Sequence, residues 1–440
     1  CNSVSLRFHV KEIGLAAGNF AALFTEDGGV LENAACALGK VDFSVTEKGK
    51  LSAKVAVGGK TYSFSGTGFT GIACGDEGVG ELDPGALDTL TVTLQNVVKS
   101  GKAAYTNLLE LTVVDAVVSN LYALGAAAGE ARLSLYVPTA DGKSVETGVA
   151  GEGVVYCGAL YRDNADEDLP LSVLQKYEGY YTSALVPPDG LDEGLPRGSG
   201  YLTATVDKKG RVKVAGMLAD GTKVSFSTDA YLTGDLTDDA GAKAYRLIAL
   251  PFTAKKTMCF GGELALERLV EDEIVGGTLF DADAALTWNQ TDAFELALNP
   301  VGGYYDTVSN LQTYYRDRET ALEFEGLEDV SGSVAVTFAG NTPTVDKASG
   351  VKVTLKRATG VFSGSVGSSK YNGILLSSRP ADVLDERVLG LGSLLVPTTV
   401  EKKKVKVSHA IGLVGDLFDP DFGAGDIGEW AGEEIPQLEE

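Results

Sequence analysis

The sequence predicts an all-β protein built from two tandem, homologous, antiparallel modules rich in meanders, each a barrel or a sandwich. Three observations predict it. Glycine supplies 55 of 440 residues, well above the ~7% usual in globular chains, and no Gly-X-Y period accompanies it. Glycine at this level beside a normal apolar content means many tight turns. Segments alternating apolar and polar residues recur every ~8–12 positions, the spacing of short strands in sandwiches and barrels. Finally, one stretch of the chain repeats another.

Val4 to Val10 alternates and is expected as a strand outside the repeated core. The stretch from Gly18-Asn19-Phe20 to Leu51 then aligns without a gap onto Gly179-Tyr180-Tyr181 to Val212, at a constant offset of 161 (179 − 18). After one extra residue, Gly59 to Ser65 matches Gly221 to Ser227. The repeated unit reads as three strands joined by two turns. In Tyr201 to Val206, the residues Leu202, Ala204 and Val206 share one face of a strand. Asp207-Lys208-Lys209-Gly210 makes the turn, with Gly210 free to take positive φ. Val212 and Val214 return, and Val224 with Phe226 face inward on the third strand.

Strands are expected next at 90–94, 109–113 and 131–137, with 114–128 as the one candidate helix, and the first module (1–162) closes on Tyr156-Cys157-Gly158-Ala159-Leu160. A charged stretch ending at Pro170 supplies an acidic linker, 163–171. The second module (172–400) carries strands at 351–355 and 361–366 and reaches Tyr371-Asn372-Gly373-Ile374-Leu375, the same Tyr-x-Gly-x-Leu pattern as 156–160. A terminal strand, Lys404 to Ala410, and an acidic tail make up 401–440.

Gly179-Tyr180-Tyr181-Thr182, Gly200 to Val206, Leu218 to Lys223, Trp288 and Gly302 to Tyr305 together resemble an uncharacterised β-rich repeat module of large secreted or surface proteins of environmental bacteria. The likeness covers nearly all of the second module; the first lacks the Trp segment. The resemblance implies a location outside the cell and a repetitive, structural or adhesive role, and no reaction.

Composition excludes several function classes. The chain carries 37 Lys and Arg against 61 Asp and Glu, a net charge of -24, so it lacks the clustered cations that release counterions from nucleic acid. The longest uncharged run, Ala116 to Gly129, is shorter than the ~18 apolar residues of a spanning helix. Cys1, followed by Asn2 and Ser3, is the candidate for lipidation as the first residue of a surface lipoprotein, the alternative being a processing boundary. Of the other cysteines, Cys36 and Cys74 form a disulfide within one module, or all are buried thiols; no CxxC spacing points to zinc.

His9 and His409 sit on alternating strands with no triad or nucleophile-elbow motif nearby, so no catalytic residue is assigned. A hydrolase is the third-ranked reading, because paired carboxylates are too abundant here to mark a site. Trp288, Tyr304 and Tyr305 are candidate ligand-binding aromatics, whose flat faces suit a sugar ring. The competing reading places one Tyr of each adjacent pair in the core and the other outside. Asp419, Asp421, Asp426 and Glu429, interleaved with glycines, are candidate Ca²⁺ ligands, with a solvated acidic tail as the alternative.

The expectation is therefore a secreted or surface structural protein that associates with other copies of itself into a fibre or layer, through strand edges at its two ends. A carbohydrate-binding or adhesive module is the alternative, with surface glycans as partners.

Overall fold

A computed structural model describes residues 18–26, 39–46, 48–67, 89–100, 103–114, 129–139, 144–158, 174–192, 194–237, 243–255, 257–268, 278–281, 286–291, 293–305, 318–325, 332–376, 387–400 and 403–417. Two compact units divide the chain, Cys1–Pro170 and Leu171–Glu440. The first strand expected at 4–10, the candidate helix apart from Val114, which ends a strand, the linker and the tail beyond 417 lie outside the described residues.

In the first unit a meander runs through β1 (Gly18–Glu26), β2 (Gly39–Val45), β3 (Lys50–Val57), β4 (Lys60–Thr67), β5 (Thr89–Ser100), β6 (Ala103–Val114), β7 (Gly129–Pro138) and β8 (Val145–Cys157). β8 returns to pair with β1, so the sheet order is β4-β3-β2-β1-β8-β7-β6-β5. Its two ends meet: Asn96 Nδ2 of β5 donates to the Ser63 carbonyl of β4 at 2.7 Å. The result is a barrel-like ring, which answers the choice left open between barrel and sandwich. Alternation fills it, since Leu51, Ala53, Val55 and Val57 of β3 are buried between exposed neighbours. Phe20 stacks on Phe43 with ring centroids 4.8 Å apart.

The duplication is visible down to its hairpin turns. Gly49 (φ 71°) and Gly210 (φ 69°), 161 residues apart (210 − 49), occupy the same left-handed corner. In each turn the glycine N–H donates to the carbonyl three residues back, Thr46 or Asp207, at 2.8 Å. The same residue's side chain accepts from the strand that follows, Thr46 Oγ1 from Lys50 N at 3.1 Å and Asp207 Oδ1 from Arg211 N at 2.9 Å.

The second ring has the same eight-stave meander with longer, broken staves. It begins with β9 (Gly179–Val186), β10 (Gly200–Val206) and β11 (Arg211–Met217). Its fourth stave is β12 (Lys223–Asp229) continued by β13 (Tyr231–Thr237), and its fifth is β14 (Lys243–Ala249) continued by β15 (Phe252–Lys255). Pro251, which has no N–H for a ladder, marks the break in the fifth. β16 (Met258–Gly262) with β17 (Leu264–Arg268) and β18 (Thr278–Phe280) with β19 (Leu286–Gln290) follow. The eighth stave, β20 (Phe294–Tyr304), pairs with β19 in its first half and with β9 in its second, which closes the ring.

A third ring follows in the same unit: β21 (Arg318–Phe324), β22 (Ser333–Ala339), β23 (Thr342–Thr344), β24 (Val351–Lys356), β25 (Val361–Val366), β26 (Ser369–Leu375), β27 (Val388–Val400) and β28 (Lys403–Leu417). Its order, β23-β22-β21-β28-β27-β26-β25-β24, is the same eight-strand cycle as in the first sheet, with its last strand paired to its first, but the ladder opens between the third and fourth strands instead of the fourth and fifth. The span 172–400, expected as one module, therefore holds the whole second sheet and all of the third except β28. The strand at 404–410, expected outside the core, is part of β28, which bonds to β27 on one side and β21 on the other. It offers no free ladder edge over Ile411 to Val414, where both neighbours are paired. The Tyr-x-Gly-x-Leu pattern at 371–375 is the sixth stave of this ring rather than the last of the previous one.

Candidate functional site

The residues singled out as ligand-binding aromatics converge on the junction between the second and third rings. Tyr181 and Tyr304 stand opposite each other in the β9–β20 ladder. Both turn into the second ring, edge to face at 5.9 Å, and Tyr181 also meets Phe280 at 6.2 Å. Their sequence neighbours must point the other way. Tyr180 and Tyr305 do so, meeting edge to face at 5.9 Å and joining the hydrophobic core of the third ring beside Phe362 and Tyr371.

Each outward hydroxyl finds a carbonyl of the third ring. Tyr305 Oη donates to Arg357 O at 2.7 Å, and Tyr180 Oη donates to Thr359 O at 3.2 Å. Between them, Thr182 Oγ1 donates to Leu375 O at 2.7 Å in a fully buried setting. A small shared core of Ala184, Val301, Ile374, Leu376 and Val388 seals the contact. Burial pushes the Tyr180 hydroxyl above the usual phenol range, while its hydrogen bond with Thr203 pulls it back.

A second contact lies beside it. Segment 196–199 runs across the β27–β28 hairpin, with Arg197 N donating to Ser408 O at 3.2 Å and Ser199 N donating to Gly392 O at 3.0 Å. Gly198 permits this approach, because a Cβ there would stand 2.7 Å from Ser393 Cβ and closer still to the His409 carbonyl. His409 lies at this seam; burial lowers its imidazole below the usual value, Glu325 raises it and Arg197 lowers it further.

These positions change what the aromatics are available to do. Trp288 is 1% exposed, packed edge to face on Phe294 at 4.9 Å, and Tyr305 is 3% exposed. Neither offers a free face to a sugar ring. Tyr304 is half-buried against Tyr181. Trp288 does not share a ring contact with the Tyr pairs; it belongs to the far end of the second ring, where Phe260 is its ladder partner.

The remaining candidates are separate. Arg246 bridges Glu267 at 2.8 Å and Asp281 on the outer staves of the second ring. Glu323 is buried and its carboxyl is pushed up by burial, with Arg387 pulling it back. Among the described residues no group of three or more His, Cys, Asp and Glu is placed to hold a metal ion. The candidate Ca²⁺ ligands Asp419, Asp421, Asp426 and Glu429, and the candidate lipidation residue Cys1, lie outside the described residues. Cys157 is buried, its thiol donating to Gly158 O at 3.7 Å, and Cys259 is disulfide-bonded. No described helix is long and apolar enough to cross a membrane.

Sequence reasoning missed the junction residues Thr182, Ile374, Leu376 and Val388. A signal exists for two of them: Ile374-Leu375-Leu376 is an apolar run without alternation, the mark of a strand covered on both faces, whereas Thr182 in Tyr181-Thr182-Ser183 carries none. No family model matches the chain, and neither a curated protein nor a solved structure was found to be similar to it.

Proposed function

We propose that this chain is an extracellular structural protein, a self-associating building block of a surface fibre or layer, and that it carries out no catalysis. The observation that carries the reading is the junction just described. Two side-chain-filled rings are locked by interdigitated tyrosines, three buried or half-buried side-chain hydrogen bonds and a shared apolar core. A rigid joint of this kind suits an element that has to hold its shape within an assembly. Interfaces between domains of one chain are by default polar and mobile; a core running through this one holds the pair as a single body.

The disulfide-bonded Cys259 supports a setting outside the reducing cytosol. Of the aromatics behind the carbohydrate-binding alternative, Trp288 and Tyr305 are buried and Tyr304 is half-buried, which favours the structural reading over it. Light scattering of the purified full chain across a concentration series tests the reading: mass rising with concentration is expected, and a constant monomer mass at every concentration contradicts it.

A further inference from the structure

The hairpin formed by β27 and β28 is longer than the ring it belongs to. β26 accompanies β27 only as far as Leu395, and β21 accompanies β28 only from Ile411 onward. Between Val396 and Val407 the two strands pair only with each other in the described ladders, so they form a two-stranded arm. Its outer face carries Lys404 and Lys406, both exposed, opposite Thr399 and Pro397. Lysine and proline on such an edge discourage direct strand addition.

The arm is a cationic point in an anionic chain. Residues 388–415 contain Lys402, Lys403, Lys404 and Lys406 against Glu401 alone, giving 4 − 1 = +3, while the whole chain stands at -24. The segment that follows β28 is its complement: 418–440 contains 8 Asp and Glu and no Lys or Arg. The two lie at opposite ends of one strand. On β28 (Lys403–Leu417), Lys404 of the arm and Leu417 at the start of the acidic segment are 13 positions apart (417 − 404), roughly 43 Å at ~3.3 Å per residue.

We propose that the lysine-bearing tip of this hairpin is the docking site for the acidic segment 418–440 of a second copy, joining copies head to tail. The inference rests on the self-association reading and names the contact. Complementary charges steer such an encounter and set its register. Because the two surfaces differ and the acidic segment departs from the end of β28 away from the arm, the contact is heterologous, and repeating it builds an open filament. Docking within one copy would require the acidic segment to run back along the length of the strand.

Two full-length variants test this by sedimentation at ~50 mM and ~500 mM salt, conditions that separate weak from strong screening. One reverses the arm (Lys404→Glu and Lys406→Glu). The other neutralises the acidic segment (Asp419→Asn, Asp421→Asn, Asp426→Asn, Glu429→Gln, Glu433→Gln and Glu434→Gln). The native chain is expected to assemble at low salt, and each variant alone to lose association by about tenfold or more. An equimolar mixture is expected to recover a dimer, because one variant keeps the arm and the other keeps the tail. A mixture that stays monomeric while the native chain assembles overturns docking between copies. Unchanged assembly of both variants overturns the arm as the site and leaves self-association standing. A native chain that is monomeric throughout overturns the functional reading itself, as does a monomer whose arm instead retains an anionic polysaccharide such as alginate.

Discussion

Thr182 of the second ring donates its hydroxyl to the carbonyl of Leu375 in the third at 2.7 Å, with Thr182 fully buried. The bond spans 193 positions of sequence and ties the outer face of β9 to the end of β26. Replacing Thr182 with Val keeps the shape and deletes the donor. The expected loss is ~1–3 kcal/mol, the cost of leaving a buried acceptor unsatisfied, read as a lower urea midpoint with an unchanged slope.

Tyr305 separates coupling from simple stability. Tyr305→Phe removes only the bond to Arg357 O and is expected to cost ~0.5–1.5 kcal/mol. Tyr305→Ala also empties its place beside Tyr180 and the third-ring core, at ~3–5 kcal/mol. In the Ala variant the second and third rings are expected to unfold in two calorimetric steps. A single step in both variants would show that the tyrosine clamp does not couple them.

The duplicated turns make a matched pair. Gly49→Ala meets nothing within 4 Å, so its cost is that of the left-handed backbone alone, roughly 1–2 kcal/mol. Gly210→Ala carries the same strain and also places its Cβ 2.9 Å from Leu174 Cδ1. A larger loss at 210 than at 49 is expected in chemical denaturation.

His409 predicts a pH dependence. Its folded-state pKa is depressed by burial, so the unfolded chain binds the proton more readily. The linked stability is fully present above the unfolded value of ~6.5 and is lost as pH falls through that value toward the folded one. Asp207 adds a second, more acidic loss. The backbone N–H of Arg211, then that of Lys209, holds its carboxyl low, and that contribution vanishes as pH falls below ~4. His409→Asn is expected to flatten the unfolding midpoint between pH 7 and 5 while leaving the steeper decline below pH 4.

Much of this fold was legible because it is local. The Asp207 to Gly210 turn and the alternation of Tyr201 to Val206 carry their own chemistry, so the meander and its duplication could be read directly. The boundary between the second and third rings could not. It depends on Arg318 pairing with Leu417 at the edge of β21 and β28, and no local pattern announces a partner 99 positions away (417 − 318). The Tyr pairs were half legible: alternation requires Tyr180 and Tyr181 to point apart, but only the third ring shows that the outward side chain is half-buried against a second core. Asn19, which stands in the first ring where Tyr180 stands in the second, is the one hint in sequence that the two rings use this position differently.

Electron micrographs of the purified full-length chain test the central claim most directly. The account predicts ordered fibres or sheets with a regular repeat that disperse at high salt. A field of separate particles, each the size of one chain at every concentration and salt, would contradict it.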